Sequence, residues 1–202
     1  MILANPLLNR VSAAAPAEAR GVLIRAAYSF LKDRFGERAV TAAVGSLTPE
    51  DRLLMPTVLL DANWYPHDTW RVIRRLVRVL DPRAGVELTV DMGRYVAEYA
   101  FKGIYNPFLS PDPVKQVEKF RWMQEHFYRH VCSMDVRTLG DSSATVSLRY
   151  RKGVMITGAT CAVLLGFWAR TLELAGGIDV VVSHSKCINM GSDRCEYSLC
   201  WR

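Results

Sequence analysis

The chain has 202 residues, 50% hydrophobic and 23% charged, with a formal net charge of +6. That length and balance allow one sizeable core, or a main domain with a smaller N-terminal piece, and exclude a disordered or fibrous chain. Five cysteines, an odd number, argue against a closed disulfide framework, and MILANPLLNR has neither a basic leader nor a long apolar run, so a cytoplasmic location with reduced thiols is expected.

Residues 16–35 read as an amphipathic helix, with Leu23, Ala26, Ala27, Phe30 and Leu31 on one stripe. Thr48-Pro49-Glu50-Asp51 is a helix start: a capping hydroxyl, a proline in the first turn, then acids. WYPHDTWRVIRRLVRVLD predicts a helix from near Asp68 that stops before Pro82. Arg71, Arg74, Arg75 and Arg78 fall at spacings that share a helix face. That face reads either as a patch for an anionic partner or as a solvated outer surface. No aromatic residues interleave the arginines as a base-stacking platform needs, so nucleic acid is not an expected partner. Two more helices are predicted over residues 86–101 and 113–130, separated by the loop IYNPFLSPDP.

After His130 the period shortens. Residues 136–139 and 144–150 read as strands joined across GDSS, and residues 157–174 as a helix that ends at Gly176-Gly177. Residues 178–184 and 195–201 are two further strands. The expected fold class is α+β: a helical N-terminal segment over residues 1–60, suited to dimerisation, then a β-β-α-β-β antiparallel sheet with packed helices over residues 61–202. GVMITGATCAVLLGFWA is uncharged but short of the ~20 residues that span a bilayer, so it reads as a buried helix and no membrane span is expected.

In the last strand Cys195, Tyr197, Leu199 and Trp201 share one face, and Glu196, Ser198 and Cys200 the other. In the strand before it, His184 shares the apolar face of Val180 and Val182. Cys161 falls on a helical stripe with Leu164, Leu165, Trp168 and Leu172, and Cys187 lies in the loop past the strand end. Cys161, His184, Cys187 and Cys195 can therefore converge from a helix, a strand end, a loop and a second strand. Three thiolates and an imidazole make a standard closed tetrahedral zinc set. The spacing is not a CxxC…CxxC pattern, and the alternative keeps Cys161 and Cys195 as small core hydrophobes with His184 hydrogen-bonded at the sheet end. Cys200 points away, and Cys132 has no assigned role.

TCAVLLGFWARTLELAGGIDVVVSHSKCINMGSDRCEYSLCW has a mid-helix cysteine, a Gly-Gly turn, a valine-rich strand, and C-x₃-G leading into D-x-C-x-Y. In this it resembles the 4-vinyl-reductase domain, a small-molecule-binding domain of bacteriochlorophyll-biosynthesis proteins and of the sensor part of phenol- and xylene-responsive activators. Aromatic-sensing members of that family bind zinc through a cysteine, an acid and two more cysteines. The resemblance places Cys161, Cys187 and Cys195 on the cysteine positions and His184 on the acid's, where imidazole also suits zinc. LLDANWYPHDTWRVIRRLVRVL and DMGRYVAEYAFKGIYNPF are similar to a family of standalone myxobacterial paralogues. The implied fold is shared with haem nitric-oxide sensors and with a subunit class of vesicle-tethering complexes. Those haem sensors hold propionates with Tyr-x-Ser-x-Arg; here Tyr150-Arg151-Lys152-Gly153-Val154 lacks the serine and the arginine, so haem is not expected.

The resemblance also implies an apolar pocket beside the sheet. Its candidate lining is Trp122, His126 and Tyr128 on FRWMQEHFYRH, with Trp168, although such a helix serves equally as plain core. No G-x-S-x-G, H-E-x-x-H, P-loop or G-x-G-x-x-G pattern is present, and four protein ligands on a zinc leave no position for activated water. The expectation is a non-enzymatic small-molecule-binding or sensory module with a structural zinc. It would take a small apolar or aromatic ligand, form a homodimer, and relay to a separate output protein. Two alternatives stand beside it: a scaffold or tethering protein whose pocket is filled by its own side chains or an acyl chain, and an enzyme that reduces a tetrapyrrole vinyl group.

Overall fold

A computed structural model describes residues 15–202, so MILANPLLNR lies outside it. The helix expected over residues 16–35 begins only at Gly21. Before it comes a strand, β1 (Glu18–Arg20), which runs straight into α1 (Gly21–Phe35). The reason is long-range pairing: Ala19 sits opposite Tyr65 of β2 (Trp64–Pro66) and Tyr128 of β3 (Tyr128–Arg129), both antiparallel. Gly21 is required at the join, since a Cβ there would lie 2.0 Å from the Leu60 carbonyl oxygen. Gly36, at φ 86°, ends α1. A helix not expected from the sequence, α2 (Glu37–Gly45), follows, and then α3 (Pro49–Leu53), where Thr48 Oγ1 accepts from the Asp51 N–H as its motif implies.

Helices α4 (Thr69–Leu80) and α5 (Val86–Lys102) match their sequence spans closely. Two of the four arginines on the α4 face are engaged within the fold. Arg71 lies 3.2 Å from the carboxylate of Asp51, Arg75 contacts its other oxygen, and that carboxylate is only 1% exposed. Asp51→Ala should therefore cost about 2–3 kcal/mol, below the 3–5 of a fully buried pair because the two arginines are 34% and 46% exposed. Thermal melting against Asp51→Asn, which keeps the shape, checks this.

Helix α6 (Pro113–Phe127) starts on an Asp112 cap that accepts from Val114 and Lys115, and stops three residues short of its expected end at 130. Tyr128 is claimed by Ala19 across β1–β3, and His130 turns the chain at φ 55°. Strand β4 (Cys132–Thr138) thus begins earlier than the expected residue 136. β5 (Ser143–Tyr150), α7 (Gly158–Leu174), β6 (Val181–Lys186) and β7 (Cys195–Cys200) complete the order. The strand expected from residue 178 starts at Val181 because Ile178 and Arg202 exchange backbone hydrogen bonds and Asp179 takes φ 49°.

The large sheet is antiparallel throughout, ordered β4-β5-β7-β6, so the fold is α+β. Cys195, Tyr197 and Leu199 are fully buried on its inner face, as period two requires, and Cys200 is exposed on the outer one. Helix α7 lies on that inner face and packs against α5 backbone to backbone at Gly93 and Gly166. One continuous apolar core runs from α1 to β7, and the boundary drawn at residue 60 falls in the loop between α3 and β2. Among the described residues no helix is long and apolar enough to cross a membrane.

Candidate metal centre and adjoining cavity

Strands β6 and β7 pair regularly from Val181↔Cys200 to His184↔Tyr197, and then Lys186 pairs with Glu196. Ser185 is therefore one extra residue, a β-bulge. In an unbroken strand residues 184 and 187 would face opposite sides. The bulge resets the phase: Lys186 stands opposite Glu196 of the outer face, so Cys187, the next residue, returns to the inner face. A 3-10 turn over Ile188–Met190 and Gly191 at φ 87° then reverse the chain, with the Met190 and Ser192 N–H groups both donating to the Cys187 carbonyl. Cys161 arrives from the first turn of α7, which Thr157 and Thr160 hold in a reciprocal capping box.

One ligand atom each from Cys161, His184, Cys187 and Cys195 lies within 4.8 Å of the others, an arrangement that could hold a metal ion. Cys161 Sγ is 3.9 Å from Cys195 Sγ and 4.0 Å from Cys187 Sγ. These separations are about twice a disulfide bond, and all five cysteines are free. The His184 ring is stacked on Tyr197 at 4.5 Å and 8°, and its buried Nε2 has no hydrogen-bond partner among the described residues. The hydrogen bond from Cys161, helped by the Ile188 N–H and by His184, lowers the Cys195 thiol to about 5. The same hydrogen bond and burial push Cys161 up.

Cys132 and Cys200 stand apart from the cluster. The Cys132 sulfur accepts from Gln124 Nε2 at 3.4 Å, and burial pushes its thiol up to about 12.

The first turn of α7 also puts Ala159 and Thr160 on the wall of an apolar cavity of about 60 Å³, bounded by α5, α6, α7 and the sheet. Tyr128 and Trp168 line it, with Met92, Phe120, Phe127 and Phe167. Trp122 and His126, expected there from the sequence, do not. They pack at a tilt against each other, ring centroids 3.7 Å apart, and against Phe108, and Trp122 is 38% exposed. Helix α6 carries aromatic residues on two stripes, and packing chose Phe120, Met123 and Phe127 as the inner one. His67, Arg74 and Tyr150 line the cavity as well, without having been sequence candidates for the pocket. His67 directly follows the WYP strand, and a histidine next to that apolar turn was the available signal.

His67 is 6% exposed, and burial pushes it down to about 4 from an ordinary 6.5. A depressed folded value means the unfolded chain binds the proton better. Stability is therefore full above pH 6.5 and falls as pH drops from 6.5 towards 4, by about 3 kcal/mol in all. Melting curves from pH 7.5 to 4.5 should show this slope, reduced in His67→Phe.

No protein-family model matches the chain, and no curated protein matches it in sequence. Solved structures do share its fold. An Fe(II) unliganded H-NOX protein from K. algicida aligns over 91% of this chain and 96% of its own, with TM-score 0.66 and 11% identity. An H-NOX protein from S. oneidensis in the Fe(II)NO ligation state aligns over 91% and 99%, with TM-score 0.69 and 12% identity. A mutant S. oneidensis H-NOX protein in the Fe(II) state reaches TM-score 0.70 at 12% identity, over 91% and 96%. At these identities the likeness establishes the fold.

Proposed function

We propose that this chain is a non-enzymatic small-molecule-binding or sensory module of the 4-vinyl-reductase type, stabilised by a structural zinc on Cys161, His184, Cys187 and Cys195. The observation that carries the proposal is the convergence of those four ligand atoms within 4.8 Å. Zinc–sulfur bonds of about 2.3 Å in a tetrahedron separate sulfurs by about 3.8 Å. The observed 3.9 and 4.0 Å fit that edge without rearrangement. The unpartnered His184 Nε2 and the acidic Cys195 thiol are what a cation would complete. Four protein ligands close the shell, so the metal ties α7 to the β6–β7 hairpin and adds its binding energy to folding.

Haem, named for another solved structure of this fold, does not fit here. The cavity of about 60 Å³ is far below the ~300 Å³ or more of ordinary ligand pockets, and residues 150–154 lack the serine and arginine of the propionate motif. That small volume also favours a second reading, an interaction protein whose cavity its own side chains fill. A homodimer through the N-terminal helices and a separate output protein complete the sensory proposal.

Native mass spectrometry with metal analysis tests it. One zinc per chain with a co-purifying small molecule is the expected result. Zinc alone in large complexes would transfer the assignment to the scaffold, a bound tetrapyrrole or redox cofactor would make the chain an enzyme, and absence of metal would overturn the zinc centre.

A further inference from the structure

The cavity has one charged wall. Arg74 reaches it from α4, donating through Nη1 to Thr160 Oγ1 at 3.3 Å and through Nη2 to Met155 Sδ at 4.0 Å. Unlike Arg71 and Arg75, it has no carboxylate partner among the described residues, and residues 1–14 contain no aspartate or glutamate. Asp68 acts on it only from a distance, while Arg71 and Arg78 add to the positive field. A half-buried guanidinium without a counter-charge is costly. The N-terminus of the 17-residue α7 opens beside it and adds its own positive end.

A second observation points the same way. Trp168, 4% exposed, lines the cavity with a buried Nε1–H that has no acceptor among the described residues, and the buried Tyr150 hydroxyl, also in the lining, has no partner among them either. What these groups lack is oxygen acceptors and negative charge.

We propose that the cavity takes an amphipathic acid, with its apolar body between α5, α6 and α7 and its carboxylate on Arg74 at the first turn of α7. This rests on the ligand-binding reading above and names the class of ligand. The cavity of about 60 Å³ is under half of the ~150 Å³ that admits a benzene ring, so the body displaces side chains. Met92 and Met123, flexible thioethers on the wall, are the ones suited to move.

Calorimetric titration of the full chain at pH 7.5 with two matched pairs tests this: octanoic acid against octan-1-ol, and 3-phenylpropanoic acid against 3-phenylpropan-1-ol. One or both acids should bind at least ~10-fold tighter than the matching alcohol, as a charge-assisted hydrogen bond allows. Arg74→Gln should abolish that preference, and Arg74→Lys should keep part of it. Acids and alcohols binding alike would overturn the carboxylate site and leave the ligand-binding reading intact. No binding by any of the four at millimolar concentration would remove both, in favour of the self-filled cavity. The acid–alcohol comparison needs no variant, so a poorly folding Arg74→Gln does not blunt the test.

Discussion

Cys161→Ser and Cys195→Ser should each abolish zinc binding at the proposed centre and lower the melting temperature by more than ~10 °C, while Cys200→Ser changes neither. Serine is close in size, so packing alone predicts little change; what differs is the soft thiolate, which a hydroxyl does not replace as a zinc ligand. Cys161 is 3% exposed and Cys195 fully buried, so each substitution also leaves a polar hydroxyl among apolar neighbours. Structural zinc contributes about 10–16 kcal/mol in small peptides that fold only with metal. Here a continuous core already exists, so the loss is a fraction of that, several kcal/mol, at ~2–4 °C for each. Calorimetry with and without chelator, beside metal analysis, reads both effects. His184→Asp should retain zinc, since a carboxylate also ligates it, whereas His184→Ala should not. If the serine variants at 161, 195 and 200 all melt together, the metal centre is refuted.

The second large effect is expected at the α5–α7 crossing. A methyl group on Gly166 would lie 1.9 Å from the Val90 carbonyl oxygen, and one on Gly93 would lie 2.0 Å from that of Val163. Both obstacles are backbone, so no rotamer change relieves them and the helices must move apart. Gly166→Ala and Gly93→Ala should each cost about 3 kcal/mol or more, at the top of the usual overpacking range. The disturbance extends further, because α7 carries Cys161 at one end of this crossing and Trp168 at the other. Gly166→Ala should therefore weaken metal retention as well as stability. The double variant should cost less than the sum, because one separation of the helices relieves both clashes. Gly45→Ala at the end of α2, with open space around its Cβ, should be neutral or stabilising. Denaturant unfolding of the four variants against the parent chain gives the comparison.

Local chemistry was legible from the residues alone. The Thr48 cap acts within a turn of its own position, so it announces α3. Period two along β7 placed Cys195 inward and Cys200 outward, and a 3.6-residue period aligned Cys161 with Trp168, because side-chain direction follows from backbone geometry once the element type is known. These facts were enough to nominate the four ligand residues and the α+β class. Tertiary structure decided the rest. Residues 18–20 are a strand because their hydrogen-bond partners in β2 and β3 lie far along the chain, where no local pattern reaches. Cys187 shares the inner face with Cys195 only because of the bulge at Ser185, which pairing with β7 creates. Trp122 and His126 face outward because the sheet took the other stripe of α6, and Arg74 meets the cavity because α4 settles beside the start of α7. Periodicity specifies which residues share a face, but the choice of which face is buried belongs to whatever packs against it.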